Sequence, residues 1–220
     1  MVGRNAIGVE LGKSIYDAEK TNDGRYTRIA NPPKQLMLRA QLEYDCDGIR
    51  QPEIATNTNW KSYLDGPYVG TSWYGGEEYN ATLEVQNWPS ADGNIDQWEP
   101  VSIFKGPSGM MPGLIYPPLQ VVELLPAKSV SGPVNGTYIF DFGVNVAGWY
   151  SLNINESTST RIVMRPGEKV KNGTVDQSTS GKNVYDGYTS NGVPFTYRPK
   201  FVYHGFRYLG VNLTVQHLMQ

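Results

Sequence analysis

An all-β fold, built as two β-sandwich (jelly-roll-like) modules, is what this sequence predicts. Its 220 residues include 24 glycines and 15 prolines, enough to punctuate the chain with frequent turns. Beside them stand 15 tyrosines, 6 phenylalanines and 5 tryptophans, residue types that favour half-buried strands over helices. No window shows a 3.6-residue apolar period, while several short runs alternate with a period of two.

The elements follow in order. Residues 4–12 are apolar, with Gly8 before and Gly12 after Val9, and a polar, turn-rich stretch then runs to Pro33. The clearest strand is 36–44, where Leu36, Leu38, Ala40, Leu42 and Tyr44 alternate with Met37, Arg39, Gln41 and Glu43. A turn closes it at 45–48. From Trp60 to Trp98 the chain is aromatic, Gly-rich and acidic. Residues 105–118 hold four prolines and three glycines and read as a long loop, so the expected modules are 1–115 and 116–220. Beyond it the strands come at sandwich spacing: 119–125, 137–142, 149–154, 160–165, 195–197, 201–203 and 207–215. Turn clusters at 131–136 and 171–173 separate them, each with an Asn-Gly pair that needs positive φ.

Charge narrows the function. The net charge of -2 carries no like-charge run, which argues against a nucleic-acid or membrane surface. No apolar stretch approaches the roughly 18 residues of a membrane span. Five N-x-[ST] sequons begin at Asn80, Asn135, Asn155, Asn172 and Asn212, which points to a secreted glycoprotein although no signal peptide is visible. Cys46 is the single cysteine, so no disulfide within the chain is expected.

Several chemical motifs fail on inspection. Gly8 to Ser14 is one residue short of a phosphate-binding loop, and no helix follows it. Asp141-Phe142-Gly143 spells a kinase triplet without the rest of the kinase set, and reads as a strand breaking at Gly143. The two histidines, His204 and His217, are too few for a zinc site, and no nucleophile elbow accompanies them. His204 is expected to be a hydrogen-bonded structural residue, with Gly205 making a tight turn and Arg207 paired to a carboxylate or carbonyl. Glu77 and Glu78 are adjacent on a strand, so they face opposite ways and cannot be a glycosidase pair. Asn80, Asp92 and Asp96 are hard oxygen donors near turns and make calcium the one cofactor worth testing.

Several segments together resemble one family. They are Gly3 to Gly12, Trp60-Lys61, Asp65-Gly66-Pro67, Tyr74-Gly75-Gly76-Glu77-Glu78-Tyr79-Asn80-Ala81, Trp88 and Asp96 to Val101. Further on come Pro117 to Glu123, Phe140 to Trp149, Arg165-Pro166-Gly167-Glu168 and Tyr203 to Tyr208. In this order they resemble the amino-terminal β-sandwich modules of microbial α-L-rhamnosidases, glycoside hydrolase family 78, of a fungal-type secreted member.

The resemblance implies a non-catalytic fragment: the family's catalytic acids lie on an α/α barrel that this chain lacks, so it is expected to be inactive alone. Residues 1–115 would be a truncated carbohydrate-binding-like jelly roll and 116–220 a concanavalin-like sandwich. Expected partners are L-rhamnose-containing glycans and the barrel. A stand-alone rhamnose-binding lectin and a catalytically dead scaffold are the alternatives. In some relatives an Asp-Asn pair binds L-rhamnose through calcium, where this chain has Asn80-Ala81. The carbohydrate-binding candidates are Trp73, Tyr74, Glu77, Glu78, Tyr79, Asn80 and Trp88, the aromatics acting either as stacking platforms or as packing.

Overall fold

A computed structural model describes residues 3–13, 36–72, 74–106, 109, 116–179 and 184–215. It is all-β. Along the chain run β1 (Gln41–Leu42), β2 (Asp45–Cys46), β3 (Ile49–Arg50), β4 (Ile54–Ala55), β5 (Lys61–Ser62), β6 (Tyr68–Ser72), β7 (Gly76–Asn80) and β8 (Glu99–Pro100). Then come β9 (Ser129–Val134), β10 (Thr137–Gly148), β11 (Leu152–Ile154), β12 (Thr160–Gly167), β13 (Lys169–Lys171), β14 (Thr174–Asp176), β15 (Asp186–Thr189), β16 (Phe195–Tyr197) and β17 (His204–Val215).

By their contacts these residues form two compact units. The first comprises Met1–Gly8, Gln35–Leu64 and Gln86–Glu123, and the second Val9–Lys34, Asp65–Val85 and Leu124–Gln220. This division does not follow a single cut after residue 115. Strand pairing is the physical reason: β7 hydrogen-bonds to β15, which carries Asp65–Val85 into the sheet of the C-terminal half.

The second unit centres on a seven-stranded sheet of order β6-β7-β15-β12-β17-β10-β9. Only the β7–β15 pair is parallel, with Glu78 opposite Gly187 and Asn80 opposite Thr189. The antiparallel pair β11–β16 packs over one face, and Tyr150, Ile154, Ile162, Met164, Tyr188, Tyr197, Phe206, Leu209, Val211 and Ala81 make the core between them. Strands β12 and β15, each flanked by a strand on both sides, are the most buried. Both Asn-Gly turns form as the sequence requires: Asn135 and Gly136 have φ 49° and 75°, Asn172 and Gly173 have φ 52° and 73°. β10 does not break at Gly143. It runs on to Gly148 through a bulge between Asp141 and Val146, with Gly143 at φ 80°.

Other expected strands change. Residues 201–203 are not a strand, because the chain there turns its amides toward a carboxylate (below) just after Pro199. Residues 119–125 form no strand among the described residues, with Leu119 76% and Val122 95% exposed; prolines at 117, 118 and 126 flank the run. Gly205 makes no turn: it lies inside β17, opposite Ala147 of β10.

The first unit is a set of two-stranded pieces: β1 with β4, β2 with β3, and β5 with β8. Of the predicted strand 36–44 only Gln41 and Leu42 enter a ladder, and Leu36, Leu38, Leu42 and Tyr44 are exposed, so no second layer among the described residues buries that face. Trp88 and Trp98 lie 5.8 Å apart by ring centroid, and Trp98 stacks on Tyr63 at 5.9 Å.

Candidate functional site

The densest polar constellation lies in the second unit, where β7 meets β15 and the segment after β16. Alternation along β7 sends Glu77 inward and Glu78 outward. Glu77 is wholly buried, and its carboxylate is saturated. Tyr197 Oη donates to Oε1 at 3.0 Å, while the backbone N–H groups of Lys200 and Phe201 donate to Oε2 at 3.0 and 2.9 Å. On the other face Glu78 pairs with Arg161. The opposed directions expected of these two glutamates are what the strand shows.

A second carboxylate, Asp186 at the start of β15, is equally buried. Its Oδ1 accepts from Glu77 N at 2.8 Å, and its Oδ2 accepts from Tyr150 Oη and faces His204 Nε2 at 2.8 Å. His204 is thus the buried, hydrogen-bonded residue expected of it, stacked at 6.4 Å on Tyr150. Burial pushes the Glu77 carboxyl above its ordinary value against the pull of its three donors, and the Asp186 charge adds to the rise. Burial likewise drives the Tyr150 and Tyr197 phenols far up, with Asp186 next in effect, so both stay protonated donors. The Tyr188 phenol, pushed up to about 12 chiefly by burial, has no hydrogen-bond partner for its hydroxyl among the described residues.

This network binds segments to one another and offers no chemistry to solvent. Each carboxylate oxygen already has a partner, so neither Glu77 nor Asp186 is placed to act as an acid, base or nucleophile. Sequence reasoning singled out Glu77 and His204 but missed Asp186, Tyr150 and Tyr197. The only local signal, an acid set among aromatics in Tyr185-Asp186-Gly187-Tyr188, does not say which buried donors it meets.

The remaining candidates are divided between the two units. Glu77, Glu78, Tyr79 and Asn80 belong to the second unit, whereas Trp88, Asp92 and Asp96 belong to the first. Trp73 and His217 lie outside the described residues. Tyr74 is half-buried. Tyr79 packs edge-on against Tyr68 at 4.9 Å and stacks on Tyr188 at 5.8 Å, which is packing in a core. In the first unit one face of Trp88 lies against Gly8, where a Cβ would meet the ring.

The three calcium candidates are likewise split, Asn80 in the second unit and Asp92 and Asp96 in the first. Asn80 caps a short 3-10 turn, Ala81–Leu83, and its Oδ1 accepts from Thr82 N at 3.1 Å and Thr82 Oγ1 at 2.8 Å. Asp92 is exposed and pairs with Arg4, and Asp96 is exposed on a turn ordered by Asn94. Among the described residues no group of three or more His, Cys, Asp or Glu side chains is arranged to hold a metal ion. The sequons differ in presentation. Asn135, Asn155 and Asn172 are exposed, while Asn80 and Asn212 are half-buried, and Asn212 Nδ2 donates to Thr137 Oγ1 at 3.2 Å. Cys46 is exposed.

Comparison with known proteins covers almost the whole chain. Residues 1–123 match the family described as the α-L-rhamnosidase N-terminal domain, and residues 133–219 match the bacterial α-L-rhamnosidase concanavalin-like domain. An α-L-rhamnosidase of Formosa agariphila is 29% identical over 96% of this chain and 23% of its own length. One from Alteromonas is 27% identical over 94% of this chain and 22% of its own. Among solved structures, the Streptomyces avermitilis α-L-rhamnosidase complexed with L-rhamnose superposes with a TM-score of 0.69 at 29% identity, covering 79% of this chain and 17% of that one. The Aspergillus terreus enzyme gives 0.68 at 27% identity, covering 79% and 20%. The chain therefore spans about a fifth of the length of the relatives it matches.

Proposed function

The chain belongs to the α-L-rhamnosidase family of glycoside hydrolases, and on that premise we propose that it works as a non-catalytic β-sandwich portion of such an enzyme. Its role is accessory: it supports or targets a catalytic barrel that hydrolyses terminal α-L-rhamnose from plant glycans or glycosides. One observation carries the reading. The N-terminal and concanavalin-like matches together take up residues 1–123 and 133–219, within relatives of which the chain covers 23% or less.

The chemistry agrees. Glycoside hydrolysis needs two carboxyl groups facing the bond at roughly 5–10 Å. Among the described residues the two buried acids are engaged by protein donors, and Glu78 is tied to Arg161. The test is hydrolysis of an aryl α-L-rhamnoside by the purified chain. No turnover is expected, and turnover that survives repurification overturns the reading.

A second reading, L-rhamnose recognition by the chain itself, is supported by the Streptomyces avermitilis relative solved with L-rhamnose and by the half-buried rings of Tyr63, Trp88 and Trp98. Calorimetry with L-rhamnose, with and without calcium, separates it from a purely structural role, which gives no binding heat in either case. Secretion belongs to the same proposal and is supported by the exposed sequons at Asn135, Asn155 and Asn172.

A further inference from the structure

We propose that residues 65–85 are a donor hairpin, and that the surface they occupy on residues 124–215 is a strand-acceptor site that holds this hairpin without needing the covalent connection. The inference is independent of the rhamnosidase reading, since it rests on hydrogen bonds and packing within the second unit.

The acceptor is built from three kinds of contact. The first is backbone: β15 pairs in parallel with β7, and Tyr185 N donates to Gly75 O at 3.0 Å. The second is a buried polar socket. Glu77 brings one N–H donor, to Asp186, and one carboxylate, for Tyr197 and the amides of Lys200 and Phe201. Without the hairpin those three donors and one Asp186 oxygen lose their partners together. The third is aromatic: Tyr79 lies against Tyr188, Phe195 and Tyr197, and Tyr68 meets Phe201 edge-on at 4.9 Å.

The site is also selective. Gly76 has φ 119°, and a Cβ there would run into the Tyr185 carbonyl oxygen. Gly187 has no Cβ because the Glu78 carboxylate lies across its α-carbon on the way to Arg161. The acceptor therefore takes an extended segment with glycine first, a buried glutamate next and an aromatic two residues after it. Of the known recognition modes this is strand addition to a sheet edge, with main-chain bonds giving affinity and alternate side chains giving selectivity. The partner it fits is this chain's own Gly76-Glu77-Glu78-Tyr79 strand. It follows that the segment matching the concanavalin-like domain, residues 133–219, borrows two sheet strands from the segment matching the N-terminal domain.

The experiment cuts the chain. A protease recognition sequence is placed between Phe104 and Tyr116, and the full-length protein is purified and then cleaved. The two pieces are expected to elute together under native conditions and to part only in denaturant. Gly76→Ala combined with Glu77→Ala should weaken their association by about a hundredfold or more, from the lost socket and the clash. Arg4→Ala, at an exposed ion pair of the first unit, should leave it unchanged. Should the double variant fail to fold, the cleaved native protein is mixed with a fluorescent peptide of residues 65–85, which is expected to enter the site during partial unfolding and refolding. Separation of the cleaved pieces as two folded species overturns the proposal. So do undiminished association in a folded double variant and exclusion of the peptide.

Discussion

Glu77 offers the sharpest test of how the second unit is held together, because alanine and glutamine at this position separate hydrogen bonding from charge. Alanine removes the acceptor of three buried or part-buried donors: Tyr197 Oη at 3.0 Å, Lys200 N at 3.0 Å and Phe201 N at 2.9 Å. Each orphaned donor costs about 1–3 kcal/mol, and water can reach the two amides more readily than the Tyr197 hydroxyl. Relief from burying a charge offsets part of this loss. A net destabilisation of about 3–5 kcal/mol is therefore expected for Glu77→Ala. Glutamine keeps the shape: its carbonyl oxygen can take both amides while its NH2 donates to the Tyr197 oxygen, and only the Tyr197 O–H loses its acceptor, so Glu77→Gln should cost about 1–2 kcal/mol, well below alanine.

The two variants also differ in pH response. Burial raises the Glu77 carboxyl above its ordinary value of 4.5, so the folded state holds that proton to a higher pH than the unfolded chain does. Its contribution to stability is fully present below 4.5 and is lost as pH rises through the folded-state value. Glu77→Gln should abolish that decline. Urea unfolding followed by near-ultraviolet circular dichroism, at pH 4 to 8, measures both effects. If Glu77→Gln is as damaging as Glu77→Ala, the negative charge and not the hydrogen-bond geometry holds the socket, and the reasoning fails.

The remaining expectations concern separate sites. His204→Ala removes the Nε2 contact to a buried carboxylate and should lower stability by about 1.5–3 kcal/mol in the same urea assay while leaving any heat of L-rhamnose binding intact; unchanged stability refutes its structural role. Arg207 grips Asp141 through two bonds of 2.8 and 2.9 Å, and these, with the Gly143 N–H, hold the Asp141 carboxyl down to about 2. Its stabilising effect is present above 3.8 and disappears as pH falls through about 2, so in an NMR titration Arg207→Gln should move the carboxyl back toward 3.8. In a secreting eukaryotic host, glycan occupancy by peptide mass mapping should be high at the exposed Asn135, Asn155 and Asn172 and low at Asn212, whose amide is held by Thr137. Full occupancy at Asn212 would show that this bond does not survive during synthesis.

What the sequence determined by itself is local. The Asn-Gly turns at 135–136 and 172–173 are legible because positive φ at two consecutive residues is a property of those residue types. The strands at 160–165, 195–197 and 207–215 are legible because alternation and β-branched or aromatic content act within a few residues, whereas the short strands β13, β14 and β15 carry no such run and are not legible; the opposed faces of Glu77 and Glu78 follow from the pleat alone. Family resemblance is also legible, since it lies in ordered blocks of residues.

Tertiary structure decided which of those local preferences are used. Residues 36–44 and 119–125 have good strand patterns, yet a strand is stable only with a partner to bond and a layer to cover it, and the described residues give most of those two runs neither. Residues 201–203 are apolar enough for a strand, but their chain entrance supplies amides to Glu77, more than 120 residues earlier. That β7 joins β15 and not the first unit is likewise invisible in any window of the sequence. Parallel pairing across a crossover of about a hundred residues depends on one buried socket, and the free energy that selects it comes from Asp186, Tyr197 and the Phe201 amide meeting Glu77 only after the chain has folded.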